Sequence, residues 1–261
     1  MGAATLKMPV GLELYSVRAQ LPKDFDGTLK QVHDEGYRVV EAAGYLDKSA
    51  AEWKAAMDRA GLKCISVHHA LALLKQNLDS LIEYGHAVGL EYMICSWMGM
   101  HRDPAAKGDP TLDDWRWAAD QFNAIGEKTK AAGIQFGYHN HIPEFGTEGG
   151  VMFYDELLKG TDAKLVVFQM DCGWVYAAGQ DPLKWLSKYP ERFPLLHVKE
   201  LVKQPDGKFK NVVMSQGNQD YKPIFRAATG LKQYFVEQEE FSGDPMTELR
   251  EDAEFMKRFS Y

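Results

Sequence analysis

Short apolar runs of strand length alternate with amphipathic segments along the whole chain. Eight such runs begin 25 to 43 residues apart, close to the roughly 30 residues that one strand–helix unit occupies. They are rich in Val, Ile, Leu, Phe and Tyr, residues that favour strands. The predicted strands are Val10–Val17, Arg38–Gly44, Lys63–Ala70, Glu91–Met98, Ile134–His141, Leu165–Asp171, Phe193–Lys199 and Gln233–Glu240.

The segments between these strands place apolar residues at helical spacing. Several of them end in a glycine just before the next strand, such as Gly61 and Gly133, as expected where a helix closes in the left-handed conformation. Asp181-Pro182 predicts one more helix start, with an N-cap followed by proline. The predicted helices are Asp24–Glu35, Ala50–Ala60, Leu73–Val88, Trp115–Ala131 and Glu248–Phe259.

Eight strand–helix units in 261 residues predict a single-domain (β/α)8 barrel that spans residues 1–261. A doubly wound open sheet is the competing architecture. It usually has fewer strands and a glycine-rich phosphate-binding first turn, whereas Glu13–Ser16 carries no glycine. Two long intervals predict extended loops on the catalytic rim, His101–Pro110 and Leu201–Gln219.

Composition narrows the classes of partner. Lys plus Arg is 30 and Asp plus Glu is 37, giving a net charge of −7, which argues against a nucleic-acid partner because phosphate binding needs clustered cations. No apolar run is long enough for a membrane span. Met1–Pro9 lacks a signal-peptide core, so we expect a cytoplasmic location, or a periplasmic one if a presequence was removed. The oligomeric state stays open, a homo-oligomer included.

Histidines and carboxylates fall at the ends of the predicted strands, where the chemistry of a (β/α)8 barrel is located. Burying such groups is costly unless they are paired or bind a metal. One alone is as well explained as a hydrogen-bonded core histidine or a capping aspartate. The candidates at or just beyond strand ends are Glu41, His68, His69, His139, His141, Glu144, Asp171, His197, Lys199, Glu237 and Glu239.

Four late strands, the fifth to the eighth, each carry an imidazole or carboxylate at similar depth, so these groups should converge on the barrel axis. Convergent His, Asp and Glu side chains are typical ligands of a divalent cation. A mixed nitrogen and oxygen set favours Mn, Co, Zn or Fe over Ca. We therefore expect one divalent metal ion as cofactor, with its identity open.

At these residues the sequence resembles the xylose isomerase-like TIM-barrel superfamily, which includes sugar phosphate isomerases and epimerases, inosose dehydratases and, more remotely, endonuclease IV. The resemblance covers nearly the whole chain and rests on the order and spacing of several motifs. These motifs are Gly11–Arg18, Tyr138–Phe145, Met170–Val175, Leu196–Glu200 and Val236–Glu239.

The resemblance implies a metal held by Glu, Asp, His and Glu from strands five to eight. Carried over, three of these positions fall on Asp171, His197 and Glu237. The strand-five position departs from the pattern, with His139 as the expected ligand and His141 or Glu144 as fallbacks.

The resemblance implies a metal-dependent isomerase or epimerase that acts on a sugar or keto-sugar by proton transfer through a metal-stabilised enediolate. Family isomerases use two glutamate ligands as an acid/base pair. Histidine at one of these positions keeps a lyase, dehydratase or hydrolase on a keto-glycoside or inosose as the alternative. A binding-only barrel and a nuclease are further alternatives, the nuclease disfavoured by the negative charge.

The expected roles divide between chemistry and substrate contact. Glu237, His139 and Lys199 are the candidate catalytic groups, with Glu237 as the base that removes the proton next to a carbonyl. The candidate substrate contacts are Glu41, His68, His69, Trp97, His141, Glu144 and Trp174.

Overall fold

Eight parallel strands close into a barrel. The computed structural model describes residues 5–99 and 101–261, so the first residues of the Met1–Pro9 segment lie outside the described part. The barrel strands, labelled β1 to β8 in chain order, are Gly11–Glu13, Val39–Ala42, Lys63–Ala70, Tyr92–Trp97, Gln135–His139, Val166–Asp171, Leu195–Val198 and Gln233–Val236.

Each barrel strand pairs in parallel with the next one along the chain, and β8 pairs with β1. Closure leaves no free edge and places all eight carboxyl ends on one rim. The register shifts between Val40 and Glu41 and between His69 and Ala70, at the rim ends of β2 and β3. The predicted (β/α)8 barrel is thus confirmed, and the open sheet is excluded.

Helices surround the barrel. The five predicted from periodicity are present with small changes at their ends, and the helix predicted from Asp181-Pro182 begins at Pro182. Three short helices escaped prediction because each has fewer than nine residues. The helices α1 to α9 are Phe25–Asp34, Ala50–Ala60, Leu71–Val88, Leu112–Ala131, Phe153–Gly160, Cys172–Ala177, Pro182–Lys188, Tyr221–Ala227 and Pro245–Arg258.

Seven of the eight strands are shorter than their apolar runs suggested, and the first and the last differ most. The run Val10–Val17 stops being a strand at Glu13, because Leu14–Val17 forms a 3-10 turn whose first backbone N–H groups need an acceptor. The Glu13 carboxylate supplies it by accepting a hydrogen bond from the Tyr15 amide at 3.1 Å. The last strand ends at Val236, so Glu237 and Glu239 stand just beyond it on the rim.

The extended loop expected at Leu201–Gln219 is not irregular, because part of it forms a β-hairpin. Glu200–Lys203 and Phe209–Val212 pair as an antiparallel hairpin, and Gly207 in its turn has a positive φ of 87°. These strands are too short and too polar to be separated from a loop by pattern alone.

The barrel interior is apolar below the rim. Side chains from five strands form a small buried cluster there, namely Val39, Ile65, Ile94, Leu195 and Phe235. A Cβ on Gly137 would approach Ile94 Cδ1 to 2.8 Å, so glycine makes room for this layer. The larger core lies between barrel and helices, and it includes the three cysteines, which are buried and unbridged. No helix formed by residues 5–99 and 101–261 combines the length and apolar character that crossing a membrane requires.

Asp252 on α9 fastens the segment that follows the hairpin to the last helix. Its carboxyl accepts a hydrogen bond from the Met214 amide at 2.6 Å and is almost fully buried. Burial raises the pKa of Asp252 to about 7. The folded protein therefore holds this proton more tightly than the unfolded chain, and the group's contribution to stability is lost as the pH rises through that value.

We expect Asp252→Asn to gain stability relative to the wild type between pH 4 and pH 8, because asparagine keeps the acceptor oxygen but has no charge to bury. The change in relative unfolding free energy should be on the order of 2 kcal/mol. Urea unfolding at several pH values measures it, with the exposed neighbour Glu251→Gln as control. A pH-independent difference between the two proteins would contradict the assignment.

Candidate active site

Four side chains from neighbouring strands meet at the centre of the rim. One ligand atom each from His139, Asp171, His197 and Glu237 lies within 4.8 Å of all the others, and all four residues are buried. They come from the ends of β5, β6, β7 and β8. The structure thus brings these four predicted residues together.

Asp171 stands at the middle of this group. Its Oδ2 lies 4.0 Å from both His139 Nε2 and His197 Nδ1. This oxygen is buried and has no hydrogen-bond partner among the described residues. Its other oxygen caps α6 by accepting from the Trp174 amide at 2.8 Å, so the carboxylate is held in place with one oxygen facing the imidazoles.

His197 is fixed between two carboxylates. Its Nε2 lies 2.6 Å from Glu41 Oε1, and its Nδ1 lies 2.8 Å from Glu237 Oε2. Burial opposes a charged ring, but these two hydrogen bonds outweigh it and raise the pKa of His197 to about 10. The same two effects act on Glu41 with opposite sign. Burial alone would raise its pKa, but the charges of His68 and His197 dominate and hold the pKa well below the usual value.

Gln169 sets the orientation of the other imidazoles. Its Oε1 accepts hydrogen bonds from His68 Nε2 at 2.7 Å and His139 Nδ1 at 2.9 Å. Its amide nitrogen must then donate, and it does so to Glu41 at 2.8 Å. Because His139 uses Nδ1 for this bond, its Nε2 is the nitrogen that faces Asp171 with a free lone pair.

Lys199 brings a buried ammonium to the same place. Its Nζ lies 3.0 Å from Glu237 Oε2 and 3.2 Å from Asp171 Oδ2, and it also pairs with Glu239. The ammonium rests 4.6 Å from the centre of the Trp174 ring. Burial acts against its charge, but the three carboxylates dominate and raise its pKa. Lys199 is therefore a permanent cation next to the cluster.

Carboxylates outnumber the cations here. Burial, together with the charges of Glu41 and Glu237, raises the pKa of Glu13 well above its usual value. Burial also raises the pKa of Asp171. For Glu237, burial is outweighed by Lys199 and His197, which hold its pKa well below the usual value. Such an excess of buried negative charge favours a bound cation.

Two other groups of possible metal ligands overlap with this one. The first consists of His68, His139 and His197, and the second of Glu13, Glu41, His68 and His197. Most polar atoms of these groups already have protein partners, because Glu41 is bonded to Gln169, His197 and Ser66. The set around Asp171 Oδ2, which has an ion pair with Lys199 but no hydrogen bond among the described residues, is therefore the one best suited to a metal.

A cleft of about 310 Å³ opens onto the cluster. Several residues expected to contact substrate line it, namely His68, His69, Trp97 and His141, and Tyr15 joins them. Others lie elsewhere. Glu41 is beneath the imidazoles, and Trp174 lies under Lys199. Glu144 is buried, bonded to the Tyr138 hydroxyl and the His141 amide, and lines a separate cavity.

Several residues of the site escaped the sequence analysis. Gln169 stands two positions before Asp171, on the same face of β6, so strand alternation could have revealed it. Asn140 accepts a hydrogen bond from the Asp171 amide at 3.1 Å and ties β5 to β6. The position of Glu13 at the end of β1 was visible, but its proximity to Glu41 follows only from barrel closure.

The fold and the site together define the class of protein. It is a closed (β/α)8 barrel whose rim carries a cluster of histidines and carboxylates that could hold a metal. Within that class, the chain belongs to the xylose isomerase-like TIM barrel family, whose sequence profile matches residues 29–259. Inosose dehydratase from Clostridium beijerinckii is 22% identical over 269 residues, covering 91% of this chain and 86% of that protein. Inosose dehydratase from Geobacillus kaustophilus is 25% identical over 233 residues, covering 77% and 74%.

Solved structures agree on the fold. A sugar phosphate isomerase/epimerase from Parabacteroides distasonis has a TM-score of 0.79 and 28% identity, covering 94% of this chain and 96% of that one. IolI protein, solved with a bound zinc atom, has a TM-score of 0.73 at 13% identity, covering 95% and 96%. At that identity the likeness shows the fold alone.

Proposed function

We propose that this protein is a metal-dependent carbon–oxygen lyase that acts on a cyclic polyhydroxy ketone, such as an inosose or a keto-glycoside. The supporting observation is that the buried rim cluster offers His139, Asp171, His197 and Glu237 as ligands, and that Glu237 is the one carboxylate of these four that also lines the cleft. The inosose dehydratases among its relatives are consistent with this reaction class.

The donor set fits a divalent cation. Two imidazole nitrogens and two carboxylate oxygens are ligands typical of Zn, Mn, Co or Fe. The Asp171 oxygen without a hydrogen bond is a fitting ligand, and Gln169 gives His139 the required free Nε2. A cation held here would polarise the substrate carbonyl and stabilise negative charge on its oxygen. Glu41, bonded to His197, and Gln169, bonded to His139, then serve as the supporting shell that orients the two imidazole ligands.

Glu237 would take the proton from the carbon next to the ketone. Its carboxylate lies at the end of β8 beside the cleft, and Lys199 and His197 keep it ionised. Loss of an oxygen substituent from the following carbon then forms the carbon–carbon double bond. Lys199 positions Glu237 through its 3.0 Å contact.

His139 distinguishes elimination from two-base isomerisation. A family isomerase returns the proton through a second carboxylate on the opposite side of the substrate. Here an imidazole stands at that position, and burial together with neighbouring imidazoles holds its pKa well below the usual value. A neutral imidazole bound to a metal has no proton to return, so elimination is the favoured outcome.

Isomerase or epimerase activity is the second candidate, because the Parabacteroides distasonis structures share 26% and 28% identity with this chain. The two reactions separate by mass. The metal-loaded protein should be incubated in deuterium oxide with scyllo-inosose, a methyl 3-keto-glucoside and a panel of ketoses. Loss of water or methanol supports the lyase, whereas an isomer of unchanged skeleton with deuterium uptake supports the isomerase.

We expect Asp171→Asn and His197→Ala each to reduce bound metal to well below one ion per chain while the fold is kept, because these rim residues carry little of the core. Elemental analysis after dialysis against a fixed metal buffer measures the content. Asp181→Asn, which changes a similar helix N-cap outside the cluster, is the matched control. Full metal content in both site variants would refute the ligand assignment.

We expect Glu237→Gln to retain much of the metal but to slow proton removal by about 10²- to 10⁴-fold, the usual contribution of a positioned base. Deuterium exchange at the carbon next to the ketone measures this step directly. Glu239→Gln is the control, because this carboxylate also pairs with Lys199 and lines the cleft. Exchange at the wild-type rate in Glu237→Gln would remove it from the base role.

A further inference from the structure

A second cavity adjoins the cleft and is chemically unlike it. It has a volume of about 670 Å³, well within the roughly 300–1,000 Å³ typical of ligand pockets. Its wall is largely apolar and includes Trp97, Met98, Trp115, Ile142, Phe145 and Phe153. The cleft above the rim cluster, by contrast, is about 310 Å³, and its lining includes histidines and carboxylates.

The two spaces meet along two short stretches of chain. At the end of β4, Ser96 lines the cleft, Trp97 lines both spaces, and Met98 lines the apolar cavity. After β5, His141 lines the cleft while the next residue, Ile142, lines the cavity. Consecutive residues facing different spaces make the cleft and the cavity neighbours, with Trp97 and His141 at the boundary between them.

The wall of the cavity is fastened before any ligand binds. His101 uses both ring nitrogens, one toward Asp114 at 2.9 Å and the other toward the Gly108 carbonyl at 3.1 Å. Asp114 also accepts from the Arg102 amide at 2.7 Å. These bonds tie His101 and Arg102 to the start of α4, beside the cavity.

We propose that this cavity binds an apolar, aromatic leaving group of the substrate, so that the protein eliminates an aglycone from a keto-glycoside; this inference rests on the proposed lyase function. Trp115 and Phe153 stack on each other with ring centroids 5.8 Å apart, and both line the cavity, so part of its wall is aromatic. The polar cleft suits one sugar ring, and the apolar cavity suits the group joined to it.

The position of the leaving group follows from the reaction. With the ketone at C3 of the sugar, Glu237 takes the proton from C2, the C1–oxygen bond breaks, and its electron pair leaves with the aglycone oxygen. The electrons of the C2–H bond form the C1–C2 double bond. The aglycone oxygen takes a proton from water, and Glu237 returns its proton to solvent, so atoms and charges balance. His141 lies at the boundary between the cleft and the cavity, where the glycosidic oxygen of the substrate would be. Its Nδ1 is buried and has no partner among the described residues.

Benzyl and methyl 3-keto-β-glucosides test this inference, because their alkoxide leaving groups are similar in basicity and differ mainly in size and apolarity. The metal-loaded wild type should favour the benzyl compound in kcat/KM by about tenfold or more. Ala178→Trp, which fills the cavity, and Ile142→Asp, which places a charge at its mouth, should each remove this preference and leave turnover of the methyl compound within about threefold. Leu73→Trp, at an exposed position outside both spaces, is the control.

A binding experiment separates failure of this inference from failure of the lyase proposal. Benzyl β-glucoside lacks the ketone and cannot eliminate, but it should quench the fluorescence of the wild type through Trp97 and Trp115, and much less in Ala178→Trp. If no ketone is converted, the lyase proposal falls while this binding still tests the cavity. If both ketones react at equal rates in the wild type, or benzyl β-glucoside does not bind, the aglycone assignment is overturned.

Discussion

The structure of the site depends on one buried imidazole held between two carboxylates. His197 is fully buried, so its contacts with Glu41 and Glu237 operate in a medium of low dielectric, where hydrogen bonds to charged groups are strong and misplacement is costly. These contacts link β2, β7 and β8 across the barrel mouth. Gln169 extends the same network to His68 and His139, so the three imidazoles have fixed orientations before any ligand arrives.

The fixed network leaves the negative charge of the buried carboxylates only partly balanced. The network satisfies Glu41 almost completely, yet it leaves one oxygen of Asp171 without a hydrogen bond. Lys199 offsets part of the negative charge from one side only, since Asp171, Glu237 and Glu239 all face it. A barrel mouth that buries more carboxylates than cations is stabilised by a bound cation, and the Asp171 oxygen that accepts no hydrogen bond indicates where its contact would be.

The sequence was sufficient for the barrel, because strand spacing gives the closure, and strand ends give the rim positions of the candidate residues. The choice of Asp171, His197 and Glu237 among these candidates came from the resemblance to the family. The sequence could not show what depends on register and loop conformation. The proximity of Gln169 to Glu41 requires β6 and β2 to face each other across the closed barrel. Glu144 followed the right strand but packs inward against the Tyr138 hydroxyl, a choice that no local pattern encodes.

The side chains proposed for the reaction lie at strand ends, whereas those proposed for substrate selectivity lie mainly in loops. The groups proposed for chemistry stand at the ends of β5 to β8, where parallel pairing and buried hydrogen bonds hold them rigidly. The apolar cavity is instead built from the loop after β4 and the segment that follows β5, and its wall depends on the local bonds of Asp114 rather than on the cluster. Substitutions in that wall should therefore leave the geometry of the rim cluster undisturbed.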